Sequence, residues 1–265
     1  MRRQKREEGH CRWRTVALVV TLAGAGLLGA CGDGASGNAA AAGTNGGGAP
    51  TDSANSAVAA PALGENTPAG ANGAPAGPRR VVLLGTSLTA GLGLPPEQAY
   101  PALLQEKADS AQLPVTIVNA GLSGETSAGA VRRAAWVLEQ PAAVVVLEVG
   151  ANDGLRGVDP DSTYANLVKL VQMVKAQRPE AKVALVQMEA PTNLGASYTR
   201  RFHDAYGRAA RETGVPLWPF LLDGVAGVAR LNQGDGIHPN AEGARVVAGT
   251  VWGAMGPLLR ELVAP

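Results

Sequence analysis

Ala143-Val144-Val145-Val146-Leu147-Glu148-Val149 runs directly into Gly150-Ala151-Asn152-Asp153-Gly154. The first stretch is apolar at every position but one, so it has no polar face to turn to water. A strand of that kind suits a sheet covered on both sides, as parallel sheets are. Similar runs lie at 80–86, 115–119 and 182–188, with a shorter one near 215–218. Between them the apolar period changes to three and four. Helices are predicted at 97–111, 126–139, 161–178, 198–213 and 240–260. In 161–178, Leu167, Leu170, Val171 and Val174 form one apolar face. Asp161 or Ser162 can cap its start, and Pro179 follows its end. The 198–213 segment is rich in arginine and reads as an outer, solvated helix. Regular alternation of strands and helices predicts a three-layer α/β/α fold. Its core is a doubly wound parallel sheet of about five strands.

Ligands of such sheets bind outside the carboxyl ends of the strands. The polar blocks of this chain fall there. Gly85-Thr86-Ser87 follows the first strand, and Asn119-Ala120-Gly121-Leu122-Ser123-Gly124-Glu125-Thr126 follows the second. Gly150 to Gly154 follows the third and Gln187-Met188-Glu189-Ala190-Pro191 the fourth. Asp235-Gly236-Ile237-His238-Pro239 precedes the last helix. Separate segments therefore converge on one crevice.

The ends of the chain differ from this pattern. Residues 1–30 carry a basic head (Arg2, Arg3, Lys5, Arg6, Arg12, Arg14) and then an apolar or small-residue run from Thr15 to Ala30. That run is shorter than the roughly 20 residues a membrane-spanning helix needs, which is the layout of a secretory signal. Residues 31–78 are almost entirely Gly, Ala, Asn, Pro, Ser and Thr. Such a composition cannot bury enough surface to offset its ordering entropy, so a disordered tether is expected. Residues 79–265 suffice for one domain with a full core. Of 23 basic and 22 acidic residues, six and two lie in the first 30, leaving 17 and 20 in the rest. That slight negative balance gives no sign of nucleic-acid binding. Both cysteines, Cys11 and Cys31, precede the domain, which therefore has no disulfide, thiolate metal site or cysteine nucleophile.

A serine hydroxyl needs a base within about 3 Å, and the base needs an orienting partner. Beyond the leader only His203 and His238 are available. His203 sits in the arginine-rich helix and reads as solvated. His238 is the candidate base for Ser87, with Asp235, three residues earlier, able to turn back onto its ring. An acyl-transfer oxyanion needs donors already aimed at it. Candidates are the backbone N–H groups of Ser87 and Gly124 and the side-chain amide of Asn152.

Together these blocks resemble the SGNH (GDSL-type) hydrolases, in particular their thioesterase, lysophospholipase and arylesterase branch. Gly85 to Gly91 looks like the family's first block, Asn119 to Thr126 the second, Gly150 to Gly157 the third and Asp235 to Asn240 the last. The resemblance implies a flavodoxin-like sheet and a serine esterase acting on acyl esters or thioesters. It implies Ser87, Asp235 and His238 as catalytic residues and Ser87, Gly124 and Asn152 as the oxyanion hole. It implies no cofactor and no metal. One position departs: the first block normally reads Gly-Asp-Ser, and here Thr86 replaces the aspartate. Thr86 can keep a hydrogen bond but not the charge.

Other readings are weaker. Gly91-Leu92-Gly93 lacks the third glycine of a dinucleotide loop, and no Gly-Lys-Ser/Thr sequence occurs. Thr89 breaks the Gly-x-Ser-x-Gly turn of α/β-hydrolases. A metal site on Asp153, Asp235 and His238 lacks a second well-placed histidine. A carbohydrate O-acetyl esterase and a non-catalytic lipoprotein binding module are the alternatives to an acyl esterase. The branch resemblance implies small acyl-ester or lysophospholipid substrates, with Leu92, Leu94, Pro191 and Leu194 as candidates to line an acyl pocket. Leu28-Gly29-Ala30-Cys31 resembles the lipobox of bacterial lipoproteins. That resemblance implies lipidation at Cys31 and an exported, membrane-anchored enzyme. The domain is expected to be a monomer.

Overall fold

The computed structural model describes Gly77 and residues 79–264. The expectations for the leader, for Cys31 and for the tether fall outside these residues, Gly77 excepted. Five strands form one parallel sheet in the order β2-β1-β3-β4-β5. They are β1 (Arg79–Gly85), β2 (Val115–Gly121), β3 (Val144–Glu148), β4 (Lys182–Gln187) and β5 (Leu217–Phe220). β3 is buried at all five positions, as its unbroken apolar sequence requires. Its neighbour β1 is buried from Val81 to Gly85.

The helices are α1 (Ser87–Ala90), α2 (Tyr100–Ser110), α3 (Ser127–Val137), α4 (Ala151–Arg156), α5 (Pro160–Gln177), α6 (Ala196–Thr213) and α7 (Ala241–Val263). The chain leaves β1 for β2 on one side, then returns past β1 to β3 and on to β5. Right-handed crossovers put α2 on one face and α3, α5 and α6 on the other. Accordingly α5 packs against both α3 and α6, while α2 packs against α7. The reversal of strand order places the switch point between β1 and β3, where open α/β sheets bind ligands.

Three helices start on side-chain caps. Thr126 accepts from the Gly129 amide at the start of α3. Asn240 caps α7 by accepting from Glu242 and Gly243. Asp159, rather than Asp161 or Ser162, caps α5, and Pro160 occupies the first turn that follows it.

The structure corrects the sequence reading in three further places. The fifth strand begins at Leu217 rather than near 215, and the register with β4 shifts between Val186 and Gln187. α6 is not solvated all round: Phe202, Ala205, Tyr206, Ala209 and Ala210 are buried. The arginines between them hide this stripe in composition, although its spacing of three and four is helical. The short helices α1 and α4 were not expected at all. Each is a single turn or so following a strand, too short for periodicity to register.

Candidate active site

Both unexpected helices carry site residues. Ser87 is the first residue of α1, directly after β1, and Asn152 lies in the first turn of α4, after β3. The two strands are hydrogen-bonded neighbours, with Gly85 opposite Glu148. Ser87 and Asn152 are thereby brought to the same end of the sheet from positions far apart in sequence. A strand that turns sharply into a helix needs a residue without a side chain where the turn is crowded. A Cβ on Gly85 would collide with the side chains of Thr89 and Glu148.

His238 comes from the loop ahead of α7. Its Nε2 lies 2.9 Å from Ser87 Oγ, and its Nδ1 lies 2.6 Å from Asp235 Oδ2. The other carboxylate oxygen of Asp235 accepts the backbone N–H groups of Ile237 at 2.9 Å and His238 at 3.0 Å. The carboxylate is thus held within its own turn, which passes through Gly236 at φ +70°. The hydrogen bond from the His238 ring, followed by those two backbone donors, holds the Asp235 carboxyl down at about 2. It is therefore ionised at any working pH.

The loop is clamped to the serine turn by Gln233, which sequence reading did not select. Its Nε2 donates to Leu92 O at 2.7 Å and to Pro239 O at 2.9 Å. The backbone N–H of Gln233 donates to His238 O at 2.7 Å. One glutamine thus ties the segment after Ser87 to the segment carrying His238. An isolated glutamine in a loop gives no signal in sequence.

Asn152 Nδ2 donates to Glu125 O at 3.0 Å, linking the third block to the second. A carboxamide nitrogen has two hydrogens, so this bond leaves one N–H to offer. Gly124 is exposed at φ +78°, a conformation that favours glycine. Its carbonyl accepts from Arg156 Nη2 at 3.0 Å. Asp153, next to Asn152, is buried and committed elsewhere. It accepts from the Ser127 amide at 2.7 Å and from the Ser127 and Thr163 hydroxyls. No group of three or more His, Cys, Asp or Glu able to hold a metal occurs among the described residues.

Beneath Ser87 lies a fully buried polar group that sequence reading passed over as part of a strand. Glu148 accepts from the Thr86 amide at 2.9 Å, from the Thr86 hydroxyl at 3.0 Å and from the Thr89 hydroxyl at 2.7 Å. Thr89 Oγ1 also lies 2.7 Å from the Tyr100 hydroxyl. Burial raises the Glu148 carboxyl, and the donors from Thr86 and Thr89 oppose that rise. The Tyr100 phenol is pushed up by its own burial and then by Glu148. The lone charged residue in an otherwise apolar strand was the available sign.

A narrow cleft beside Ser87 and His238 is lined by Leu88, Leu92, Leu94, Tyr100, Leu221, Leu222, Pro239 and Val247, among others. Leu92 and Leu94 are thus both beside Ser87. Pro191 and Leu194 do not line this cleft; they belong to the turn of 192–194 ahead of α6. His203 is not part of the Ser87 relay. Its Nδ1 pairs with Glu189 Oε1 at 2.7 Å, and its side chain is 57% exposed.

A parallel sheet whose switch point holds a serine, a histidine and an aspartate in hydrogen-bonded series defines a serine-hydrolase-like arrangement. The chain matches the GDSL-like Lipase/Acylhydrolase family over residues 83–246. It is 39% identical over 180 residues to Esterase TesA of Pseudomonas aeruginosa, covering 68% of this chain and 89% of that protein. It is 37% identical over 182 residues to Thioesterase 1/protease 1/lysophospholipase L1 of Escherichia coli, covering 68% and 85%. Among solved structures, the psychrotrophic esterase EstA from Pseudoalteromonas sp., inhibited by monoethylphosphonate, superposes with a TM-score of 0.65. The two are 34% identical, over 69% of this chain and 99% of that one. The protein belongs to the GDSL/SGNH lipase-acylhydrolase family and is a carboxylic ester hydrolase.

Proposed function

We propose that the protein is a serine esterase in which Ser87 attacks the acyl carbon of a small ester or thioester. The observation that carries this reading is the Asp235–His238–Ser87 series, with contacts of 2.6 and 2.9 Å. His238 Nε2 takes the Ser87 proton as the Oγ–carbon bond forms. Asp235 accepts from Nδ1, fixes the tautomer and stabilises the imidazolium. The carbonyl oxygen becomes an oxyanion facing the backbone N–H groups of Ser87 and Gly124 and the second N–H of Asn152. His238 then returns its proton to the departing alkoxide or thiolate. Water, activated by the same histidine, releases the acid from Ser87. No cofactor enters these steps.

The relatives named esterase and thioesterase/lysophospholipase support acyl esters over acetylated sugars. Leu92 and Leu94 lie in the apolar cleft beside the nucleophile, which supports their contact with substrate. The Leu28-Gly29-Ala30-Cys31 motif supports export and lipid anchoring at Cys31, with the 31–78 segment as spacer. Among the described residues no helix is long and apolar enough to cross a membrane.

The test is hydrolysis of para-nitrophenyl esters from acetyl to long acyl by the protein and its Ser87→Ala form. Turnover in the parent, reduced by several orders of magnitude in Ser87→Ala, is expected. A Ser87→Ala protein with near-parental rate overturns the assignment. A profile confined to acetyl esters would move the reading to the acetyl-esterase alternative. Radiolabelled palmitate incorporation that disappears in Cys31→Ala is the matching test of the anchor.

A further inference from the structure

Glu125 closes the turn that presents Gly124. Its backbone N–H donates to Leu122 O at 3.3 Å, so Leu122 to Glu125 form a four-residue turn. Gly124 is the third residue, at φ +78°, where a type II turn needs a positive φ. Glu125 makes two further connections. Its carbonyl accepts from Asn152 Nδ2 at 3.0 Å. Its carboxylate is buried and accepts from Arg133 Nε and Nη2, each at 2.7 Å. Arg133 stands in the second turn of α3, and helical side chains lean toward the helix N-terminus, here toward Glu125. Gly129, one turn before Arg133, shares its face. A Cβ on Gly129 would lie 2.7 Å from Glu125 Cγ, so the glycine leaves the room that the Glu125 side chain fills.

Arg133 reaches beyond that carboxylate. Its Nη2 donates to Ala120 O at 2.9 Å and to Gly85 O at 3.2 Å. Gly85 O also accepts the backbone N–H of Leu122 at 2.9 Å. Both ends of the Gly124 turn are thereby joined to Gly85, Leu122 directly and Glu125 through Arg133. Gly85 lies two residues before Ser87. The three candidate oxyanion donors therefore share one frame: Ser87 through Gly85, Gly124 through its turn, and Asn152 through Glu125 O. Arg133 is mostly covered and does not line the cleft beside Ser87. A buried ion pair is a poor source of stability, because desolvating both charges costs about as much as their attraction gains. What a guanidinium adds is direction: its planar fork meets a carboxylate and two carbonyls at once, which an ammonium does not.

We propose that Arg133, acting with Glu125, is a positioning residue of the oxyanion site, setting the mutual placement of the Ser87 N–H, the Gly124 N–H and Asn152 Nδ2 without touching substrate. This rests on the esterase reading above. Substrate in its ground state has no oxyanion, so it is indifferent to that placement. Loss of the frame therefore weakens the hold on the transition state far more than on the substrate.

The experiment measures kcat, KM and melting temperature for the parent, Arg133→Lys and the double variant Glu125→Gln with Arg133→Gln, using para-nitrophenyl butyrate. The double variant removes both charges together, so no buried charge is left alone and the fold is kept. In it kcat is expected to fall roughly ten- to hundredfold, less than the loss of a whole donor, with KM changed by about threefold or less. Arg133→Lys keeps the charge but not the fork and falls in between. Two inhibitors separate transition state from ground state. 1,1,1-Trifluoro-2-octanone adds to Ser87 Oγ: the oxygen–carbon bond forms, the carbonyl pair moves to oxygen as an oxyanion, and His238 takes the proton. 2-Octanol has the same chain and no carbonyl to attack. The inhibition constant of the ketone should rise in step with the fall in kcat, while that of the alcohol stays constant. Parental kcat in both variants, with only the melting temperature lowered, overturns the proposal and leaves a purely structural pair. Equal weakening of both inhibitors overturns it as well, since the cleft itself would then be distorted. A parent that neither turns over the ester nor binds the ketone counts instead against the esterase reading. The frame is then still decided by NMR: exchange of the Asn152 side-chain amide protons with water is faster in the double variant if the frame holds Asn152, and an equal rate overturns the proposal.

Discussion

Glu148 sits directly under Thr86, taking both its backbone amide at 2.9 Å and its hydroxyl at 3.0 Å. Thr86 is the position at which the chain departs from the Gly-Asp-Ser pattern. The structure supplies a physical account of the substitution. The acidic partner of the turn that carries Ser87 is on β3, and Thr86 meets it as a donor. An aspartate in the same place would set a second carboxylate against the first.

Thr86→Asp should therefore destabilise the protein, and more so as pH rises. Two carboxylates about 3 Å apart cannot both ionise freely, so the pair would hold a proton at neutral pH. The expected loss is about 1–3 kcal/mol at pH 8, smaller at pH 5. Urea unfolding at the two pH values measures it. Equal losses at both would show that charge is not the cause.

Glu148→Gln probes the same contact from the other side. Burial raises the Glu148 carboxyl above its ordinary value. Between the ordinary and the raised value the folded protein keeps a proton that the unfolded chain has lost, so this group's contribution makes stability fall as pH rises. A glutamine side chain in its place cannot titrate and would turn an N–H towards the donors of Thr86 or Thr89. The variant should be less stable than the parent at acid pH, with the gap narrowing as pH rises. A gap independent of pH between 4 and 9 would contradict this.

Asp235 shifts in the opposite direction, down to about 2 through its bonds to His238 and Ile237. A depressed carboxyl contributes stability above its unfolded value and loses it as pH falls through the folded value, about 2 here. The Asp235 carboxyl is therefore ionised throughout any practical assay range. Asp235→Asn should lower kcat by about 10³–10⁴ at neutral pH, because the amide no longer fixes the productive tautomer. A loss of tenfold or less would mean that another group orients His238.

Gln233→Ala should affect rate more than stability. Two neutral hydrogen bonds to backbone contribute about 1–2 kcal/mol together, or a few degrees in melting temperature for a domain of this size. Their removal uncouples Leu92 from Pro239 and loosens the 2.9 Å contact between His238 and Ser87. A fall in kcat of roughly tenfold is expected, with a much smaller change in KM. A large drop in melting temperature with normal kcat would make Gln233 a purely structural clamp.

The order of strands and helices was legible because β1, β3 and β4 are buried on both faces and show it as runs of Val and Leu. Ser87, Gly124, Asn152, Asp235 and His238 stand out as candidates because each lies in a block of recognisable type at a strand end or ahead of the last helix. The structure brings Ser87, Asp235 and His238 into contact and ties Asn152 to the turn that holds Gly124. What could not be read depends on partners distant in sequence. Gln233 is significant only because Leu92 and Pro239 come within its reach. Glu148 matters because Thr86 and Thr89 fold over it. Pro191 and Leu194 illustrate the converse, since apolar residues on a loop at the correct edge of a sheet need not face the same cleft.

Ser87 and His238 are separated by 151 positions yet meet at 2.9 Å. Ser87 is placed by the first strand of the domain, and His238 by the loop ahead of the last helix. A chain emerging during synthesis thus carries the serine long before the histidine. If His238 is the base of Ser87, as proposed, any product truncated before residue 238 has the hydroxyl without its activating group. On the proposed mechanism, hydrolysis is in this sense a completion signal, starting when the two ends of the domain have closed on each other. An assay of activity therefore reports on whole-domain assembly as well as on the chemistry of one cleft.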